Sequence, residues 1–264
     1  MGRTVRPKNI PLQEILFTAK VGFLSKRLWL DFFTKRSISQ NSRLWRSFVG
    51  DEYFKEHESK SLRDVLVLDK KARVLLEARG VKAVASPHMN QVDHDEKVAR
   101  ILIQLERENG IELITTESEL KQRFMHWMRT TREGRGVKFP DLALNLIGTS
   151  KFPRVALEVE LSKKSFDRCK NMMLSYSSKK DVDAVIFIAE QQPIFDRLAR
   201  AMKETNYPTW ERPVGFSYLK DWLDEPTKAS IYLSSNVTTL QEWIGGNSEV
   251  NPSELIQGSH KSIA

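Results

Sequence analysis

Residues 139–163 read FPDLALNLIGTSKFPRVALEVELSK. Two runs alternate with the period of two that a strand imposes, and Gly148, Thr149 and Ser150 between them supply turn chemistry, so the stretch reads as an antiparallel hairpin. In the second arm Val155, Leu157, Val159 and Leu161 share one face, while Ala156, Glu158, Glu160 and Ser162 share the other. Both glutamates therefore point the same way, about 7 Å apart along the strand. In the first arm Asp141, Ala143 and Asn145 alternate with Leu142, Leu144 and Leu146, and antiparallel pairing can bring Asp141 beside the Glu158 face. Two readings follow. The carboxylates either line the solvated outer face of a hairpin, or they gather and need a cation. Hard oxygen ligands select Mg²⁺ or Mn²⁺, which polarises a phosphoryl oxygen and lowers the pKa of bound water, as phosphodiester cleavage requires.

Outward from the hairpin the pattern stays mixed. Downstream come the amphipathic helix SFDRCKNMMLSYSS, the buried strand DAVIFIAE, the helix PIFDRLARAMKE and weaker β segments around VGFSYL and ASIYLSS. Upstream, HDEKVARILIQLERENG places Val98, Ile101, Leu102 and Leu105 on one helical face and ends at Gly110. IELITTESEL reads as a strand and turn, and KQRFMHWMRT has no clear assignment. A helix, a hairpin, a crossover helix and a further strand predict an α/β (α+β) sandwich over residues 84–244. The polar stretch VKAVASPHMNQVDHDEK, with Pro87, marks a boundary near residue 84. Residues 245–264 read as a disordered tail.

The chain has 264 residues, 40% of them apolar, enough for two compact units. No apolar run approaches the roughly 20 residues that span a bilayer, and the basic start lacks the apolar stretch and cleavage site of a secretory signal. The single Cys169 forms no internal disulfide and suits a reducing compartment, so a cytoplasmic location is expected, with no membrane partner. The net charge of +8 is unevenly placed: residues 1–80 carry 17 Lys+Arg against 9 Asp+Glu, and residues 81–264 carry 25 of each. A basic module thus precedes a neutral one, which points to a polyanion, most often nucleic acid.

Within the basic third, residues 1–9 read as a flexible start and residues 10–83 as a winged helix-turn-helix. IPLQEILFTAKVGFLS gives a first helix burying Ile10, Ile15, Leu16, Ala19 and Phe23. KRLWLDFFTK gives a second, with Leu28, Trp29, Phe32 and Phe33 as its stripe. SISQNSRLWRSFVG starts on good N-capping residues, buries Leu44, Trp45 and Phe48, and stops at Gly50. The exposed face of this third helix is expected to hold Gln40, Asn41, Arg43 and Arg46, with Arg36 in the preceding turn. In the helix-turn-helix pattern such a face enters the major groove, where Gln and Asn suit adenine and Arg suits guanine. A strand at Val65–Leu68 would complete a wing with Lys60 and Arg63 at its basic tip, followed by a helix from Lys70 to Arg79. The alternative is a three-helix protein-interaction module with a charged exterior.

Pro140-Asp141, followed by Glu158-Val159-Glu160 on an apolar strand, resembles the PD-(D/E)xK nuclease core of many restriction enzymes, with Glu160 at the usual Lys position as in the ExE variants. The wider arrangement, from VLVLDKKARVLLEARG through His94 and LEVELSKKS to the helix reaching Tyr176, is similar to replication-relaxation proteins and the MobC-type relaxases of mobilisable plasmids. The resemblance implies an N-terminal winged helix and a restriction-endonuclease-like domain, bacterial and nucleoid- or plasmid-associated. It implies Mg²⁺ or Mn²⁺ held by Asp141, Glu158 and Glu160. Lys163 or Lys164 could replace the missing lysine. His94 is a candidate ligand-orienting or proton-transfer group, with a helix-capping or core-edge role as its alternative, and Tyr176 offers either a nucleophile or a packing residue.

These observations predict a sequence-specific, metal-dependent DNA endonuclease that nicks double-stranded DNA at an origin of a mobile element, in company with other mobile-element proteins. The alternative is a non-catalytic DNA-binding regulator, or a relaxosome or replication accessory protein, on a nuclease-like scaffold. A protein-docking adaptor is a third reading, and it predicts no DNA affinity.

Overall fold

The computed structural model describes residues 10–57, 64–131, 137–147, 152–207 and 212–245. Residues 1–9, the tail beyond 245, the hairpin turn at 148–151 and the wing-tip candidates Lys60 and Arg63 lie outside them. The chain divides into two compact units, Met1–Glu96 and Lys97–Ala264. The division falls inside a helix, not in the polar linker near residue 84.

The first unit runs α1 (Leu12–Val21), β1 (Leu24–Ser25), α2 (Lys26–Phe32), α3 (Ile38–Gly50), β2 (Phe54–Glu56), β3 (Val65–Leu68) and α4 (Lys70–Glu77). Its three strands form one antiparallel sheet in the order β1-β3-β2, with Leu24 opposite Leu66 and Phe54 opposite Leu68. Gly22 closes α1 with φ 92°, a left-handed cap that lets its N–H reach the Thr18 carbonyl. An added Cβ would also meet the Ala85 carbonyl oxygen at 2.3 Å. The core is aromatic: Trp29 contacts Trp45 and Phe48, and Phe48 contacts Phe54.

On α1 the buried side chains are Ile15, Phe17, Thr18 and Ala19, whereas the expected Ile10 and Leu16 are exposed. On α2 only Leu28 and Trp29 are fully covered. A larger correction concerns α3, where Asn41 is 8% exposed and belongs to the inward face with Trp45 and Phe48. Residues four and seven positions apart share one helical face. Asn41 therefore points inward, where it accepts from Thr34 Oγ1 at 2.8 Å and donates to the Arg36 carbonyl at 3.1 Å.

The second unit begins within α5 (Val92–Leu105), which buries Val98, Ile101, Leu102 and Leu105 as its spacing predicts. It continues through β4 (Ile111–Thr116), α6 (Glu117–Thr130), β5 (Leu142–Leu146), β6 (Arg154–Glu160), α7 (Phe166–Ser177), β7 (Ala184–Ala189), α8 (Gln192–Glu204), β8 (Val214–Tyr218), α9 (Leu219–Asp224), β9 (Ser230–Tyr232), β10 (Val237–Thr239) and α10 (Leu240–Gly245). The seven strands form one mixed sheet in the order β10-β9-β8-β7-β6-β5-β4. β4, β5 and β6 are antiparallel neighbours, while β6, β7 and β8 run parallel. A parallel pair requires a crossover, and α7 and α8 supply the two. They pack on one sheet face over Ala156, Val185, Phe187, Val214 and Phe216.

The unassigned segment KQRFMHWMRT belongs to α6. Its start is fixed by a capping box: Glu119 N–H donates to Thr116 Oγ1 at 3.2 Å, and the Glu119 carboxylate accepts from Thr116 N–H at 2.8 Å. No side chain of α6 is buried.

Candidate functional site

The hairpin register sets Leu142 opposite Leu157 and Ala143 opposite Ala156. Carried one residue further, it sets Asp141 against Glu158. Asp141 reaches across the pair, and its Oδ2 accepts from the Val159 N–H at 2.7 Å. The Asp141 carbonyl in turn accepts from the Glu117 N–H at 3.0 Å, tying this corner to the start of α6.

Glu158 and Glu160 share a face, as the alternation requires, but that face is not solvated. Ala156 on the same side is part of the apolar layer beneath α7 and α8, and Glu158 and Glu160 are only 1% and 3% exposed. Each carboxylate meets a lysine. Glu158 accepts from Lys138 Nζ and from the Tyr176 hydroxyl, and Glu160 is paired with Lys164. The Lys164 carbonyl accepts from Arg197 Nη1 at 2.7 Å.

Lys138 is the residue that strand spacing alone does not reveal. It precedes Pro140-Asp141 in an irregular segment, and its ammonium also lies 3.0 Å from Met172 Sδ on α7. Its carbonyl accepts from Lys179 Nζ, and that ammonium sits 4.3 Å from the centre of the Tyr176 ring. Burial pushes the Glu158 carboxyl up to about 7, with Lys138 pulling against it and Asp141 adding to it. Burial also acts to lower the Lys138 pKa, yet the charge and hydrogen bond of Glu158, with Glu160 and Asp141 behind it, leave it raised. The two directions are compatible: the carboxylate is wholly covered, whereas the Lys138 side chain keeps 32% of its exposure.

The remaining candidates separate. Lys163 is exposed, and Lys164 is the lysine that turns toward the carboxylates. His94 lies on α5 in the first unit, its Nδ1 3.0 Å from Asp95 Oδ1. Tyr176 is fully buried, and burial followed by the Glu158 charge raises its pKa well above that of a free phenol. Its hydroxyl stays protonated and donates, which is the packing role and not that of a ready nucleophile.

Asp141 Oδ2 accepts from a backbone N–H, and Glu158 and Glu160 each face an ammonium. Among the described residues no group of three or more His, Cys, Asp or Glu is placed to hold a metal ion. Charge neutralisation here comes from lysine.

Beside Lys138 a cavity of about 500 Å³ opens between α6, the Val137–Ala143 segment and the end of α7. Lys138 lines this cavity and also holds Glu158, so it connects the buried carboxylate with the space outside.

In the first unit, Arg36, Gln40, Arg43, Leu44 and Ser47 line one groove along α3. Gln40 is exposed but partly committed, since its Oε1 accepts from Ser37 N–H at 3.3 Å to cap the helix. Arg43 and Arg46 are exposed, and Arg46 Nε donates to the Ser42 carbonyl at 3.1 Å. With Asn41 turned inward, the exposed polar residues of α3 are Ser39, Gln40, Arg43 and Arg46, and both charges among them are arginine.

No family model, no curated protein and no solved structure matches the chain.

Proposed function

We propose that this protein binds double-stranded DNA through its first unit and cleaves one DNA strand at the Lys138–Glu158 centre of its second unit. The observation that carries the reading is the pair of buried carboxylates, Glu158 and Glu160, in the interior of the sheet. Desolvating an ion costs several kcal/mol, and a buried ion pair is commonly no more stabilising than apolar residues of the same volume. A scaffold has no physical need of two such groups. Strongly perturbed titration beside a cavity is, by contrast, the usual condition of a catalytic acid or base.

In this reading Glu158, titrating near neutral pH and reached from the cavity past Lys138, takes the proton from a water as the water oxygen adds to phosphorus. The bond from phosphorus to one sugar oxygen breaks, and that oxygen leaves with a proton from solvent. The Lys138 ammonium supplies positive charge where the phosphoryl oxygens gather negative charge. No step is assigned to a divalent ion. The resemblance of the Pro140-Asp141 and Glu158-Val159-Glu160 motifs to PD-(D/E)xK nucleases makes Mg²⁺ or Mn²⁺ the cations to supply in an assay. The hairpin, crossover helix and parallel strand of the second unit are compatible with that resemblance. For the first unit, the order α1-β1-α2-α3-β2-β3, with β1 and β2 flanking β3, supports a winged helix with α3 as the reading helix. The wider similarity to replication-relaxation proteins extends the proposal to an origin on a mobile element.

The test is nicking of supercoiled DNA carrying the gene's neighbouring intergenic region, with Mg²⁺ or Mn²⁺ present. Wild type should relax the substrate, and Glu158→Gln should lose that activity with DNA binding intact. Full activity of the variant contradicts the proposal. A second reading, a DNA-binding accessory protein on an inactive scaffold, is favoured by one observation: both buried glutamates are already neutralised by Lys138 and Lys164. It predicts specific binding and no nicking by either protein.

A further inference from the structure

α6 is a helix of 14 residues with no buried side chain, and one of its faces is nevertheless aromatic. Leu120, Phe124 and Trp127, at helical spacing, line the cavity beside the cleavage centre together with Phe139, Lys138 and Lys179. Phe124 and Trp127 remain 40% and 38% exposed. The rings are arranged for stacking: Phe124 lies nearly parallel to Phe139, with centroids 5.8 Å apart and planes 11° off, while Trp127 stands edge-on to Phe124 at 71°. One ring of the stack is thus supported by the core and the next is presented outward, with a third ring flanking it. The volume of about 500 Å³ lies in the ~300–1,000 Å³ range of small-ligand pockets.

Apolar exposure alone would leave the occupant open, but charge narrows it. The wall holds two amines, Lys138 and Lys179, against one carboxylate, Asp181, and beyond the acidic first turn of α6, Glu117 and Glu119, the helix carries the exposed Arg123 and Arg129. Flat aromatic faces beside cationic groups are what a single nucleic-acid strand requires, because bases stack on the rings while phosphates follow the positive charge. A duplex cannot use such a pocket, since its bases are already stacked on one another. An apolar peptide segment has no use for the ammonium groups.

We infer that this cavity receives an unstacked base of single-stranded DNA, so that the strand beside the Lys138–Glu158 pair is locally melted. The inference rests on the strand-cleavage reading and names its substrate. Base stacking on aromatic rings contributes enough that losing two rings weakens binding about tenfold or more.

The experiment is fluorescence anisotropy on the full chain with three labelled probes: a thymidine oligonucleotide, the same backbone made abasic, and a duplex of the neighbouring intergenic region. Wild type should bind the thymidine strand about tenfold or more tightly than the abasic strand. Phe124→Ala/Trp127→Ala should erase that preference and keep its duplex affinity. The double change removes only exposed side chains, and circular dichroism checks the fold. Equal binding of thymidine and abasic strands by wild type, or an unchanged preference in the variant, overturns the inference while duplex binding leaves the DNA-binding reading standing. Failure to bind any of the three probes overturns both. If the double variant changes only the sedimentation behaviour of the chain, the aromatic face covers a second copy of the protein and the inference is wrong.

Discussion

Lys138 and Glu158, twenty residues apart in sequence, form an ion pair in which the carboxylate is completely buried and the ammonium retains access to a cavity. Asp141 stands opposite Glu158 across the hairpin, and its Oδ2 holds the Val159 amide. The chemistry proposed for the second unit depends on that asymmetry. The base is desolvated and hard to charge, and its partner cation faces outward.

Glu158 titrates near 4.5 in an unfolded chain and near 7 in the folded one. The folded state holds this proton more tightly, so the associated stability is complete below pH 4.5 and is lost as the pH rises toward 7. Its size is on the order of 3 kcal/mol. Glu158→Gln should flatten that part of the stability profile, as measured by urea unfolding at a series of pH values across the window. A wild-type slope retained in the variant would assign it to other groups.

Removing Lys138 should act in the opposite pH range. In Lys138→Met the Glu158 carboxylate loses its counter-charge, and above neutral pH the fold should lose about 3 kcal/mol, the cost of leaving a buried charge unpaired. Adding Glu158→Gln should restore most of that loss. Denaturant midpoints of wild type, both single variants and the double variant measure the coupling.

On α3, stability and DNA affinity should separate. Asn41→Ala removes the hydrogen bonds to Thr34 and Arg36 and should cost about 1–2 kcal/mol with little change in DNA affinity. Arg43→Ala should leave stability within about 0.5 kcal/mol while weakening duplex binding and reducing its salt dependence by close to one phosphate contact. Thermal melts and anisotropy titrations at several salt concentrations distinguish the two. The opposite assignment, with Asn41 the affinity residue, would restore the base-reading role that its sequence position suggests.

The legible parts of this chain are those where periodicity carries the information. The hairpin arms, the buried run Ala184–Ala189 and the apolar faces of α5, α7 and α8 follow directly from spacing, and so does the shared face of Glu158 and Glu160. Their burial does not, because alternation tells which residues share a face and not whether a helix covers it. Asn41 was opaque for a related reason: a polar residue four positions before Trp45 looks solvent-facing until its two partners in the preceding turn are visible. Lys138 lies in an irregular segment, and its pairing with Glu158 is made by a long side chain whose direction no periodicity fixes. The start of α6 did have a signal, Thr116 followed by Glu119, that the weak apolar pattern behind it obscured.

The most direct test of the central claim is the rate of nicking of supercoiled DNA as a function of pH, for wild type and Glu158→Gln. The account predicts a wild-type rate that rises with pH and levels off above about 7, as a general base requires. Glu158→Gln should be slower by about 100-fold or more at every pH, with duplex affinity unchanged. A Glu158→Gln variant that nicks at the wild-type rate with the same pH dependence would contradict it.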